Sequence, residues 1–531
     1  MSTQSFYLRH NVQVEPLVDH WYAWPHLIPP ATAARNMTER HLPIMESYVS
    51  APEVHTEAVR NPRMRGGPFI DLGGERVDEI SALAKVARHN RPHLNELSCA
   101  IGKLDEMLRT LAKGYSLEPL YPNIPRCLRG YVELCYDLNN HPSFRLLEPL
   151  LYRSCFYDCS LQSIMLSIIT GDERPFVLST PRLESQDRFH WKRPFADADI
   201  DEVFRLKMRP QPIGRIREML NWSDDRADLC ASFLTSDRPE PYKPYRGPTA
   251  RWRYFGHACV LVETARTSVL FDPVLSYTYE SNVSRYTYAD LPDVIYYVLI
   301  THDHQHHILF ETLLQIRHKV RHVIVPPSSG HLHDPSLRLM FKRLGFTNII
   351  ELDEMESIKT VDGSIMSIPF FGEHSDLNIR SKAAYVVRVG EYAMMFAADS
   401  CNIEPMLYRH LHAEIGDVHV LFLGMECIGA PLTWLYGPLL SRTLDRQMDQ
   451  SRRLAGSNYE QAMQIVSEFN CREVYVYAMG QEPWLNYVMS LKYTETSKPI
   501  LESNKLLREC HNRGIMAERL FGEREMFVGP S

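Results

Sequence analysis

After residue 250 the chain consists of short apolar runs (DVIYYVLI, HVIV, YAMMFAA, HVLFLGM and EVYVYAMG) separated by segments of helical periodicity, and that alternation leaves few folds open. Runs this short and this uniformly apolar are the pattern of strands covered on both faces. The segments ILFETLLQIRHKV, PSLRLMFKRLG and NYEQAMQIVSEF carry apolar residues on one helical face. Asp334 precedes the second and Ser457 the third, each placed to cap it. RYFGHACVLVETARTSVLFDP reads as two strands joined by a turn. Strands alternating with helices give sheets covered by helices, with the functional side chains at strand ends.

The clearest seam is TSDRPEPYKPYRGPTA, residues 235–250, with four prolines and no periodic pattern. It divides the chain into an N-terminal unit, 1–240, and a C-terminal unit, 241–531, of α+β class overall. In the first unit, residues 76–114 have helical spacing, while GYVELCYDL, SIMLSIIT and PFVLST read as strands. No constellation of catalytic type stands out there. The formal net charge of −7 argues against a nucleic-acid partner. The start MSTQSFYLRHNVQVEP has no apolar core of signal-peptide length, and no apolar run is long enough to cross a membrane, so a cytoplasmic protein is expected. The eleven cysteines include no C-x-x-C pair, which fits free thiols in a reducing compartment. Cys155 and Cys159, the closest pair, are expected in a core rather than on a metal.

Directly after the run VIYYVLI comes THDHQHH, which puts four of the chain's 23 histidines within six residues. Positions i and i+2 of an extended segment face the same way, so His302 and His304 can share one metal. His306 and His307, at the start of the following helix, can turn toward a second. Asp303 and Gln305 should point away from the first pair. A two-metal site also needs carboxylates. PFFGEHSD offers Glu373, His374 and Asp376, and FAADS offers Asp399, an acid at the end of a buried strand that is costly unless paired or metal-bound. Glu373 and His374 compete, since neighbours at a strand end face opposite ways.

The unit GHACVLV…VLFDP, THDHQHH, FFGEHSD and AADS resembles the metallo-β-lactamase superfamily, which implies an αββα sandwich with two metals at one edge. VEPLVDHWYAWPHLIPP, RNPRMRGGPF, PFFGEHSDLNIR, GMECIGAPLTWLYGPLL and VYVYAMGQEPWL extend the likeness over nearly the whole chain. They resemble the CmlA-type dinuclear-iron β-hydroxylases of chloramphenicol biosynthesis. The resemblance implies a family-specific N-terminal domain serving dimer formation and recognition of the carrier-bound substrate. It also implies two irons, O₂, an electron-donor protein, and a nonribosomal peptide synthetase carrier domain bearing an aminoacyl-phosphopantetheine. By position, His302, His304 and Glu373 serve one iron, His307 and residue 306 the other, and Asp399 bridges. The family carries Asp where this chain has His306, so the cluster loses one negative charge, which raises its reduction potential unless compensated. The last histidine of the hydrolases has no counterpart in VYVYAMGQEPW.

Glu373, a harder and anionic donor where hydrolases commonly use His, suits iron and O₂ rather than zinc and water. The alternative is a dinuclear zinc hydrolase, such as a thioesterase; a third reading is a metal-poor scaffold on the synthetase. Glu426 in GMEC follows another apolar run and, with Glu373, is the catalytic candidate of the pocket. His257 in GHAC is placed near the metal edge, with a hydrogen-bonding and a structural role both open. Asp272 in FDP is expected to fix a turn, HLHD (331–334) to be a solvated loop and helix cap, and Arg452–Arg453 a solvated face.

Overall fold

The computed structural model describes residues 4–89 and 91–529. The apolar runs after residue 250 form two seven-stranded sheets. In spatial order the first contains Ile349–Glu351, Val320–Val325, Ile295–Leu299, Ser268–Phe271, Cys259–Glu263, Ala250–Gly256 and Arg524–Val528. The second contains Ser357–Lys359, Gly363–Ile368, Ala384–Val389, Tyr392–Phe396, Val420–Gly424, Glu473–Tyr477 and Met516–Arg519. Within each sheet one half pairs antiparallel and the other parallel. The parallel crossovers carry helices, which is why helices cover the outer faces.

Trp252, Phe271, Phe396, Phe422 and Tyr475 fill the space between the sheets. Phe271 stacks on Phe396 at 3.7 Å between centroids, and Phe396 on Phe422 at 4.6 Å. Helices Met406–Ile415, Tyr459–Glu468 and Lys498–Asn512 cover the second sheet. Phe310–Ile316 and Leu337–Arg343 cover the first. Val420–Gly424 is buried at every position, as a strand packed on both faces must be. The result is the αββα sandwich.

Before the seam, Trp21–Tyr22, Val12–Val18, Gln162–Ile168 and Phe189–Trp191 form a four-stranded antiparallel sheet. Val77–His89 and Pro92–Leu111 are the helices that the periodicity of 76–114 indicates; residue 90 lies outside the described residues. This half is not a separate ball. Trp24, Tyr48 and Phe204 share one apolar cluster with Val298, Phe310 and Leu313 of the sandwich. No helix among the described residues is long and apolar enough to cross a membrane.

Several local expectations change. RYFGHACVLVETARTSVLFDP holds three strands, because the turn at Gly256–His257 splits the first run. PFVLST is not a strand; Val177 donates its N–H to Tyr487 O, so the segment is a strap across to the sandwich. Asn458 caps the third helix, with Gln461 answering in a capping box, while Ser457 lies buried and donates to Ser400 O. Ser336, not Asp334, caps the second. Asp334 is fully buried and accepts from Ser329 N, Arg380 N and Ser381 N, which makes HLHD a packed tie rather than a solvated loop. Arg452 donates to Ser375 O and Arg453 to Gly429 O, so this pair braces loops instead of forming a solvated face. Cys155 and Cys159 are exposed, not in a core, because they lie in the loop before Gln162–Ile168 rather than on its buried face. All eleven cysteines are free.

Candidate metal centre

Six strand ends meet at one edge of the sandwich, and five of them turn there through a left-handed residue that is not glycine. These are His257 (φ 50°), Asp272 (34°), Glu373 (69°), Ala398 (49°) and Ala478 (55°). Such backbone is strained for a side chain and clusters where function requires it. At Ala398 its effect is to swing the chain out of the strand so that Asp399 meets His302 and His307.

The sixth end is the loop after Ile295–Leu299. His302 and His304 lie with Glu373 in a group whose donor atoms are all within 4.8 Å of one another, and His302 lies likewise with His307 and Asp399. All five residues are buried. His304 Nδ1 is 2.6 Å from Glu373 Oε1, and His307 Nε2 is 3.0 Å from Asp399 Oδ2. His306 and His307 sit in the turn before the helix, which begins only at Phe310, rather than in its first turn. His307 reaches Asp399, whereas His306 pairs with His257, its Nδ1 2.9 Å from His257 Nε2. His374 turns the other way from Glu373 and meets the hydroxyl of Tyr436 at 2.8 Å. Asp376 is exposed and takes no part.

Asp272 does more than fix a turn. It accepts from Thr301 N and Oγ1 and lies 2.7 Å from His307 Nδ1, so it orients that imidazole while the other nitrogen faces Asp399. Burial alone would lower the His307 pKa, but Asp272 and Asp399 raise it to about 10. The ring is thus protonated when no metal is bound, and metal binding through it must release that proton. Burial and the neighbouring rings push His302 well below its ordinary value, so it is neutral and ready to donate.

The polar atoms test whether metals fit. His302 Nε2, both nitrogens of His304, Glu373 Oε2 and Asp399 Oδ1 are buried without a hydrogen-bond partner. So many orphaned polar atoms in one place would each cost free energy; an ion among them satisfies the nitrogen lone pairs and carboxylate oxygens that face it, while the second nitrogen of neutral His304 carries a proton. Imidazoles with anionic oxygens suit a first-row transition metal.

Glycine makes room at the carboxylate. A Cβ on Gly424 would sit inside contact distance of Asp399 Oδ1 and 2.9 Å from Ala398 O. Gly424→Ala is therefore expected to displace Asp399 and cut metal retention at least about tenfold, read by metal analysis after dialysis against a chelator; unchanged retention would sink this account.

A cavity of about 220 Å³ opens on the centre, lined by His306, Glu373, Glu426, Arg453, Arg65 and Trp434. Burial, then the charges of Asp399 and Glu373, push the Glu426 carboxyl well above the usual range. The cavity shares Arg65, Gly66, Ser490 and Leu491 with a larger one of about 410 Å³. The N-terminal half thus supplies part of the wall, and His26 bonds Asp303 Oδ2 at 3.1 Å behind the metal loop. Neither His26 nor Arg65 stood out in the sequence, since no spacing links them to residues more than 200 positions away. The hint came through the resemblance, which rests in part on WYAWPHLIPP, with His26, and RNPRMRGGPF, with Arg65.

Comparison with known proteins agrees along the whole chain. The family model for the diiron non-haem β-hydroxylase N-terminal domain matches residues 7–239, and that for the β-lactamase superfamily domain matches 267–475. The 4-amino-L-phenylalanyl-[CmlP-peptidyl-carrier-protein] 3-hydroxylase of Streptomyces venezuelae is 41% identical over 529 residues, covering 98% of this chain and 99% of that protein. The crystal structure of CmlA, a diiron β-hydroxylase from the same organism, superposes with a TM-score of 0.92 at 41% identity, over 99% of this chain and 100% of that one. A variant of the CmlA β-hydroxylase matches with a TM-score of 0.90 at 40% identity, over 98% and 100%. A likeness that spans both halves at this identity separates the chain from the hydrolases that share only the sandwich, and the protein is an enzyme belonging to the CmlA-type family of diiron non-haem β-hydroxylases.

Proposed function

We propose that this enzyme hydroxylates the β-carbon of an aminoacyl group held as a thioester on the phosphopantetheine arm of a nonribosomal peptide synthetase carrier domain. It uses O₂ and an external electron-donor protein, works in the cytoplasm and acts as a homodimer through its N-terminal domain, residues 1–240, with residues 241–531 as the catalytic domain. His302, His304 and Glu373 would hold one iron and His307 and His306 the other, with Asp399 as the carboxylate available to both. The observation that carries this reading is Glu373 against His304 at 2.6 Å, an anionic oxygen donor within an imidazole set.

Two irons bound here supply the redox chemistry that activates O₂. The rest is the work of this chain. Asp272 keeps His307 in one tautomer, and Tyr436 bonds the imidazole of His374 behind Glu373. Glu426 lines the cavity with its carboxyl buried, where it is placed to exchange a proton with a reacting oxygen. Asp303, paired with His26, keeps the metal loop in contact with the N-terminal half. A cavity of about 220 Å³ leaves little space for bulk water beside a substrate.

The test is metal analysis of natively purified protein, followed by turnover of a carrier domain loaded with aminoacyl-phosphopantetheine. About two irons per chain and a product heavier by one oxygen are expected. Two zincs with release of the thioester would establish the hydrolase instead.

A further inference from the structure

Among the buried histidines of the centre, two are tied to each other rather than to a carboxylate. His257 Nε2 and His306 Nδ1 form a hydrogen bond of 2.9 Å, with the rings edge-on at 79°. His304 Nδ1 and Glu373 Oε1 are closer, yet His304 Nδ1 has no hydrogen-bond partner. One pair is aimed past itself at a shared point; the other is joined by its own hydrogen bond, with His307 bringing a third donor atom within 4.8 Å of both rings.

An imidazole–imidazole hydrogen bond needs a proton on one nitrogen and a lone pair on the other. When His306 supplies the proton from Nδ1, its Nε2 keeps a lone pair, and His306 is the histidine of the cluster that lines the cavity beside Glu373 and Glu426. His257 is rigidly held for this. It is wholly buried, its φ is 50° in the turn between Ala250–Gly256 and Cys259–Glu263, and its carbonyl accepts from Ala478 N at 2.8 Å. Its own Nδ1 is buried without a partner. A fold gains nothing from a strained, half-satisfied buried imidazole at this place unless the ring serves another.

We propose that His257 is a positioning residue for His306: it accepts the Nδ1 proton and so presents His306 Nε2 to the second metal, as Asp272 does for His307. The inference rests on His306 being a ligand, as proposed above. Losing such a supporting partner costs about 10–100-fold in metal affinity. Because the acceptor is a neutral ring and not a carboxylate, the support adds no charge to the cluster.

Metal-free protein is titrated with Co²⁺ as an optical probe and with Fe²⁺ under anaerobic conditions, against a competing chelator. His257→Asn tolerates the left-handed backbone but is too short to reach His306; His257→Gln restores an acceptor near the position of Nε2. Wild type should bind two ions. The Asn variant should bind one as before and the other about 10–100-fold more weakly, with a changed ligand-field spectrum, and the Gln variant should recover most of the loss. In a His306→Ala background, His257→Asn should have no further effect. The inference is overturned if the Asn variant binds both ions as wild type does, if Gln rescues nothing, or if the loss is as large without His306. Fewer than two ions in wild type would overturn the ligand reading itself, and this inference with it.

Discussion

Glu373→His leaves the protein binding two metal ions but lowers hydroxylation of the carrier-bound substrate by at least about 100-fold, beyond what loss of a supporting partner alone does. The backbone permits the swap. Glu373 has a φ of 69°, and histidine is among the residues that accept this region. A Cβ on Gly372, at φ 83°, would collide with the side chain of Cys401, so the close packing of this loop is set by the glycine at 372. An imidazole there still donates an electron pair, which preserves metal binding. It removes one negative charge and the hard oxygen that stabilises oxidised iron. With His306 already neutral, the centre would retain Asp399 as the carboxylate facing His302 and His307. Metal analysis and single-turnover assays on one preparation check this. Turnover within tenfold of wild type would show that Glu373 is a spectator.

The strands and donors legible in the sequence are those whose meaning is local. A run such as HVLFLGM announces a strand covered on both sides, and H-x-H announces two rings on one side of an extended segment. Glu373 and His374 could not be separated by spacing, because the answer depends on three left-handed residues around His374, namely Glu373, Ser375 and Asp376, in a loop without regular structure. Asp272 looked like a turn residue since its partner His307 is 35 positions on. Ser457 and Asp334 were plausible caps by composition, yet each is taken by a tertiary contact, Ser400 O for one and Ser381 for the other. Local propensity yields where a buried polar group has a stronger claim.

Hidden most completely was the joint between the halves, and a large effect follows from it. Arg174→Met is expected to cost about 3–5 kcal/mol of stability, because it strands the buried Glu311 carboxylate and leaves Glu15 with Arg182 alone. Arg174 bonds Glu15 Oε1 and Glu311 Oε2, each at 2.8 Å, and lies 3.5 Å over the ring of Tyr487. Glu311 also receives hydroxyls from Tyr22, Tyr277 and Tyr487, while Arg182 shares Glu15. All four charged side chains are within 6% of full burial. Glu311 sits on the helix Phe310–Ile316 that leaves the metal loop, so this network holds that loop to the N-terminal half.

Burial opposes the ionised form of Glu15, but Arg182 and Arg174 overrule it and hold the carboxyl at about 2. Its folded value is below its unfolded one, so its contribution is complete above about pH 4.5 and fades as pH falls toward 2. Arg174→Met should narrow that window, making acid unfolding begin at higher pH. Denaturant melts across pH give both quantities. Replacing Glu311 with Leu in the same chain should restore part of the loss, since an apolar pair replaces a stranded charge. A loss under about 1 kcal/mol, the level of an exposed pair, would mean that the joint is not held by these charges.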